Sequence, residues 1–214
     1  MTLLLSSDLA TFCREIRLAD FQRLLKAHLA SDPTTPDVES LGRNLVANNF
    51  ARTDIAKFVK AVCSWGGYAG IGGRVLKSNN PQSLAVALRN AVHHVNCKPP
   101  AFAAALDEIN KIKCLGTPSF ASKHLRFLRP DLCPVFDSIL REALPYSFSS
   151  KGYAMFAQDC VAIAKILKAK KIANPQERPQ GLWFAADVEA AIFASVRALT
   201  DTGGQPIIPP DAAR

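Results

Sequence analysis

Apolar side chains along this chain fall mostly at intervals of three and four residues, the spacing of one face of an α-helix. Between Asp8 and Leu29 that face is Leu9, Phe12, Ile16, Phe21, Leu24, Leu25 and Leu29, which predicts a first helix. Asp32-Pro33-Thr34-Thr35-Pro36 breaks it. A second helix is expected from Pro36 to about Asn48, and a third from Thr53 to Cys63. Ser64 to Gly73 holds five glycines and is expected to be a loop. Past Asn79-Asn80-Pro81 the helical spacing resumes with Leu84, Leu88, Val92 and Val95. Pro99-Pro100 separates this segment from another carrying Phe102, Leu106, Ile109 and Ile112. A hairpin at Lys113 to Thr117, a helix from Pro118 to Leu128, a turn at Asp131 to Val135 and a short helix from Phe136 to Leu144 follow. Val161 to Lys171 and Ala185 to Leu199 complete the set. No run alternates with a period of two, so the fold class expected is all-α, one domain over 1–200 with a frayed tail over 201–214.

Composition narrows the class. With 49% hydrophobic and 21% charged residues in 214, the chain can form a core, and disorder is excluded as its general state. No apolar run reaches the roughly 18–20 residues of a membrane span, and the opening residues lack a basic leader, so a cytoplasmic monomer is expected. The six cysteines form no Cys-x-x-Cys pair and are expected to be free thiols, mostly buried. His93, His94 and His124 have no acidic or thiol companions at ligand spacing, so no metal and no other cofactor is expected.

Charge adds a partner. The formal net charge is +8, and residues 111–171 hold 11 basic against 4 acidic side chains. Cations gathered in one segment are the footprint of a polyanion binder, because each neutralised phosphate releases condensed counterions. Solubility is the plainer use of the same charge.

The chemistry-bearing stretch lies within that segment. Two helices joined at Leu115-Gly116-Thr117 would turn the second helix's unpaired N–H groups outward as an anion site, with Thr117, Ser119 and Ser122 adding hydroxyls. Thr117-Pro118 could equally be only a helix start. Arg126 and Lys151, and Arg74 beyond the glycines, are the candidate phosphate contacts. Trp65 and Tyr68 are candidates for a stacking platform or wedge, and core packing is the alternative for Trp65. Tyr146, Phe148, Tyr153 and Phe156 interleave with serines and Lys151, which suits stacking against nucleic acid, while their spacing is also that of core aromatics. The lysines 165, 168, 170 and 171 extend a solvated face or the polyanion footprint.

Ser-Phe-Ala-Ser-Lys-His-Leu-Arg-Phe-Leu at 119–128, followed by Pro-Val-Phe-Asp-Ser at 134–138, resembles the helix-hairpin-helix DNA glycosylases, and most closely their bacterial 8-oxoguanine-glycosylase-like branch. The resemblance covers roughly residues 50–145 and is specific over 113–141. It implies a helix-hairpin-helix at about 101–128 holding the DNA backbone, and a Pro-Val-Asp-like turn that offers a catalytic aspartate to a flipped nucleotide. Asp137 matches that aspartate. The lysine nucleophile of the bifunctional members falls on Ser119, which implies a monofunctional enzyme that leaves an abasic site. Lys123, one helical turn later, is the second catalytic candidate, as a phosphate or base-site cation or as a displaced nucleophile. Physically, a carboxylate beside the sugar would stabilise the oxocarbenium character that develops as an N-glycosidic bond breaks. Without the resemblance, Asp137 would be read as a helix N-cap and Lys123 as a solvated lysine. The base remains open among oxidised guanine, alkylated bases and hypermodified phage bases. The rival functions are a non-catalytic DNA-binding helix-hairpin-helix protein and a helical protein-interaction domain.

Overall fold

The computed structural model describes residues 16–201, with side chains described through 198. Among these residues there are α-helices, one 3-10 turn and no strand, so the expected all-α class holds. No helix among them is long and apolar enough to cross a membrane.

The helices are α1 (Asp20–Ser31), α2 (Thr35–Ala47), α3 (Arg52–Trp65), α4 (Ala69–Ser78) and α5 (Pro81–Asn96). They continue as α6 (Phe102–Asn110), α7 (Ser119–Leu128), α8 (Ser138–Ala143), α9 (Ser150–Ala169) and α10 (Ala185–Asp201). Three expectations need correction. The first helix starts at Asp20, after a turn at 17–19; its predicted part before residue 16 lies outside the described residues, as does 202–214 of the tail. The glycine-rich stretch is helical from Ala69 onward, leaving only Gly66, Gly67 and Tyr68 as a turn. Gly72 is buried there, where an added Cβ would sit 3.2 Å from the Lys60 backbone, so glycine lets α4 lie close against α3. The helix expected at Val161 begins at Ser150, capped by the Ser149 hydroxyl accepting from the Gly152 N–H at 3.2 Å.

Phe58, Val59 and Val62 of α3 are fully buried at the centre, where α3 packs against α2, α4, α5 and α7. α10 closes the fold by packing on α1, α8 and α9. Its first turn is tied to the segment before the Asp137 turn, because the Ala185 and Ala186 N–H groups donate to the carbonyls of Asp131 and Pro130 at 3.2 and 3.1 Å. Those bonds satisfy helix-end donors that would otherwise be orphaned. They also set the position of Glu189, one turn further along α10.

A buried chain of charges links the same elements. Arg126 meets Glu39 at 2.8 Å, Glu39 meets Arg178 at 2.6 Å, and Arg178 meets Asp187 at 2.6 Å. Two cations and two anions alternate, so no formal charge is left over. Burial opposes the Glu39 carboxylate, but Arg178 and Arg126 outweigh it and hold its pKa below the ordinary range. Among the described cysteines, Cys63, Cys133 and Cys160 are buried free thiols as expected; Cys97 is half-buried and Cys114 exposed. No group of His, Cys, Asp and Glu among the described residues could hold a metal ion.

Candidate active site

Asp137 and Lys123 stand fourteen positions apart in sequence, and the fold brings them to one cleft. The turn at 134–137 is fixed from beneath by Ser122. Its hydroxyl donates to the Ser119 carbonyl at 2.8 Å and accepts from the Phe136 N–H at 2.9 Å. Phe136 is fully buried against Tyr146, Phe148 and Phe156, so the turn has an aromatic footing. Asp137, next in line, caps α8: its Oδ1 accepts from the Ile139 and Leu140 N–H groups at 3.1 and 3.2 Å. The other oxygen, Oδ2, lies 3.8 Å from Lys123 Nζ. Capping therefore occupies one oxygen of the carboxylate and leaves the other facing Lys123 in the cleft.

Lys123 is not a solvated lysine. It is 7% exposed, 3.4 Å from the Ser119 hydroxyl, and packed with its ammonium 4.9 Å from the Phe120 ring centre. Gly66 admits it: a Cβ there would lie 2.8 Å from the Phe120 ring and 3.2 Å from the Lys123 stem.

The cleft holds about 280 Å³, the small end of the roughly 300–1,000 Å³ typical of ligand sites. Its walls come from two sides of the fold. Lys123 and Arg126 of α7, with Val135, Asp137 and Ile139, form one; His28 and Asp32 at the end of α1, with Glu189, Ala190 and Phe193 of α10, form the other. Trp65, Gly66 and Gly67 complete it. Two other surface clefts, of about 380 and 440 Å³, are larger. In the first, Glu108 is paired with Lys111 at 2.6 Å; in the second, Glu39 and Arg178 neutralise one another. Neither holds Asp137, Lys123 or Glu189.

Glu189 carried no sequence signal, and it is the most perturbed acid among the described residues lining this cleft. It is 5% exposed, and its Oε2 accepts from the Val135 N–H at 3.3 Å. Burial pushes its carboxyl up to about 8, and the neighbouring Asp137 charge adds to the shift. Arg126, the Val135 N–H and Lys123 pull the other way without cancelling it. Across the cleft, burial lowers the His28 pKa; Asp32 opposes that and Arg126 adds to it.

The other predicted residues are dispersed. Ser122 is fully buried and committed to the turn, so it is not a surface hydroxyl for phosphate. Arg126 is 3% exposed, bound to Glu39 and lying 5.8 Å from the Trp65 ring centre, so it is part of the cleft wall and not of an exposed phosphate-binding face. Thr117 is exposed and Ser119 half-buried at the start of α7, while Arg74 and Lys151 are exposed on α4 and α9. Trp65 is anchored, its indole N–H donating to Thr35 Oγ1 at 2.9 Å and its ring edge-on to Phe127 at 4.8 Å. It can wall a pocket but not swing out as a wedge. Tyr68 is 66% exposed, its ring 6.1 Å from Phe120, beside the cleft-lining Gly66-Gly67. Tyr153 and Phe156 lie in the core, as their spacing suggested.

No family model matches the chain, and neither a curated protein nor a solved structure matches it. What the fold and cleft define is a class of arrangement: an all-helical protein with a carboxylate, an ammonium and a buried carboxyl converging on one small pocket.

Proposed function

We propose that the chain is a helix-hairpin-helix-like DNA glycosylase that binds DNA, takes a damaged or modified nucleotide into the cleft and hydrolyses its N-glycosidic bond, leaving an abasic site. The observation that carries this reading is the meeting of Asp137 Oδ2 and Lys123 Nζ, 3.8 Å apart, in a cleft of about 280 Å³. Asp137 is already fixed by two backbone N–H bonds, so it can oppose a developing positive charge on the sugar without reorganising. Lys123 steadies that carboxylate and can meet a phosphate or the leaving base. Trp65 offers an apolar wall for the base, and exposed Tyr68 is placed to enter the space the nucleotide leaves. Thr117, Arg74 and Lys151 are exposed groups for backbone phosphates. Neither metal nor cofactor is required for this chemistry.

The test uses duplexes carrying 8-oxoguanine, uracil or an alkylated base, and phage DNA with glycosylated bases, with abasic sites as the readout. Wild type is expected to form abasic sites on one of them; Asp137→Asn, which keeps the cap, is expected to bind DNA as tightly and turn over ~10²-fold or more slowly. Equal turnover by the variant refutes the catalytic assignment. Binding should weaken steeply with salt, roughly as the number of phosphates neutralised. Salt-sensitive binding with no abasic sites on any substrate favours the non-catalytic DNA-binding protein instead.

A further inference from the structure

Glu189 has no role in the reaction as proposed so far, yet the fold spends several constraints on putting it there. It stands one turn into α10, whose start is hydrogen-bonded to the carbonyls of Pro130 and Asp131. Its carboxyl oxygen is bonded to Val135, two residues before Asp137. Both carboxyls line the same cleft.

Among the described residues, charged and titratable groups face Glu189 from each element packed against it. From α7, Lys123 and Arg126 attract a negative Glu189, and Arg126 is already bound to Glu39. From the turn, Asp137 repels one. From α9, the buried Tyr153 hydroxyl donates to the Pro134 carbonyl and lies within electrostatic reach of Glu189. From the end of α1, His28 and Asp32 face the same cleft. On its own helix, Asp187 is bound by Arg178. The sum of burial and the Asp137 charge exceeds the attractions, so the carboxyl is held up to about 8 and carries its proton at neutral pH. Two carboxyls in one cleft, one charged and one protonated, are the arrangement of an acid and a base set apart by environment.

Resting on the glycosylase reading above, we infer that Glu189 is the general acid that protonates the departing base, while Asp137 serves the sugar. The C1′–N bond breaks with its electron pair leaving on the base, and the Glu189 carboxyl proton moves to that base. A water oxygen then adds to C1′, giving up one proton to Asp137, from which solvent returns it to Glu189. The products are the neutral free base, which carries the proton from Glu189, and the abasic sugar hydroxyl, with both carboxyls restored. The substrate class this favours is a base that leaves poorly as an anion and needs a proton to depart.

The experiment compares wild type, Glu189→Gln and Glu189→Asp in single-turnover base release on the four DNA substrates named above, from pH 6 to 10. DNA affinity and melting temperature are measured alongside. Wild type is expected to lose rate above about pH 8, tenfold per pH unit, as the acid ionises. Glu189→Gln keeps an oxygen acceptor for the Val135 N–H; it is expected to bind DNA normally, release base ~10²–10⁴-fold more slowly and lose that alkaline limb. Glu189→Asp is expected to recover part of the rate together with the limb. Carboxyl carbon NMR of labelled glutamate gives an answer independent of substrate: a resonance titrating well above the others in wild type and absent from Glu189→Gln. An active wild type with an unaltered Glu189→Gln profile, or a Glu189 ionised at pH 7, overturns the assignment while leaving the glycosylase reading standing. A wild type that releases no base from any of the four overturns both.

Discussion

Replacing Glu189 by Gln isolates the cost of its environment, because the amide has nearly the same shape and cannot ionise. In the unfolded chain the Glu189 carboxyl titrates near 4.5, and in the fold burial and Asp137 hold it up to about 8. The native state therefore keeps a proton that the unfolded chain releases, and rising pH favours unfolding across that window. The stability associated with this proton is complete below pH 4.5 and is lost as pH rises through 8. Each pH unit between costs about 1.4 kcal/mol, so about 3 kcal/mol has gone by pH 7 and about 5 kcal/mol above pH 8. Urea unfolding of both proteins from pH 4 to 9 measures it. The stability of Glu189→Gln minus that of wild type is expected to be constant below pH 4.5, to climb by about 1.4 kcal/mol per unit, and to level off above 8. Titrating groups that do not interact with Glu189 drop out of the difference. Parallel curves over the whole range would refute the buried, proton-bearing carboxyl and everything built on it.

Arg178→Met removes the central cation of the Arg126–Glu39–Arg178–Asp187 chain and leaves Asp187 buried with hydrogen bonds from Asn174 and the Phe184 N–H but no cation; a loss of roughly 3–5 kcal/mol in unfolding free energy is expected, and an unchanged urea midpoint would refute it. Gly42→Ala would place a Cβ 1.9 Å from the Phe127 carbonyl oxygen, forcing α2 away from α7; a loss of roughly 1–3 kcal/mol, read as a lower melting temperature, is expected, and an unaltered melting curve would show that the helices are not in contact there. Borohydride added during turnover is expected to trap no protein–DNA adduct, since a monofunctional mechanism forms no Schiff base; an adduct lost in Lys123→Gln would instead make Lys123 the nucleophile.

The pattern of apolar spacing located most helices because each buries one stripe, and α5 and α7 fall within a residue of where that stripe and a proline start them. It missed the helix Ala69–Ser78 because Gly70, Gly72 and Gly73 argue locally for a loop, while tertiary packing against α3 decides otherwise. It missed the start of α9 because Tyr153 and Phe156 occur before any run of aliphatic residues, although Ser149 was a readable cap. Within the site, Asp137 and Lys123 were legible because they sit close together in a distinctive stretch. Glu189 was not, because its partner Val135 is 54 positions away and nothing local to Ala185–Asp201 marks one acid as buried.

Not every cation of the basic segment is open to a polyanion, and the reason bears on the site itself. Of the 11 basic residues of 111–171, Lys123 and Arg126 are nearly fully buried and Arg129 is paired with Asp131 at 2.7 Å. The two buried cations contribute little to any long-range attraction for DNA, since each is held by a carboxylate partner. What they do instead is set the state of the cleft. Arg126 is held by Glu39, and Lys123 lies against Asp137, so neither brings enough positive potential to Glu189 to ionise it at neutral pH. Were Glu39 neutral, Arg126 would be free to draw a negative charge onto Glu189 and the acid would be lost. Glu39→Gln is thus expected to lower the pH at which Glu189 titrates, although the two side chains are on helices α2 and α10. The carboxyl resonance of Glu189 in that variant measures the shift, and an unmoved titration would show that the buried ion chain and the cleft are electrostatically independent.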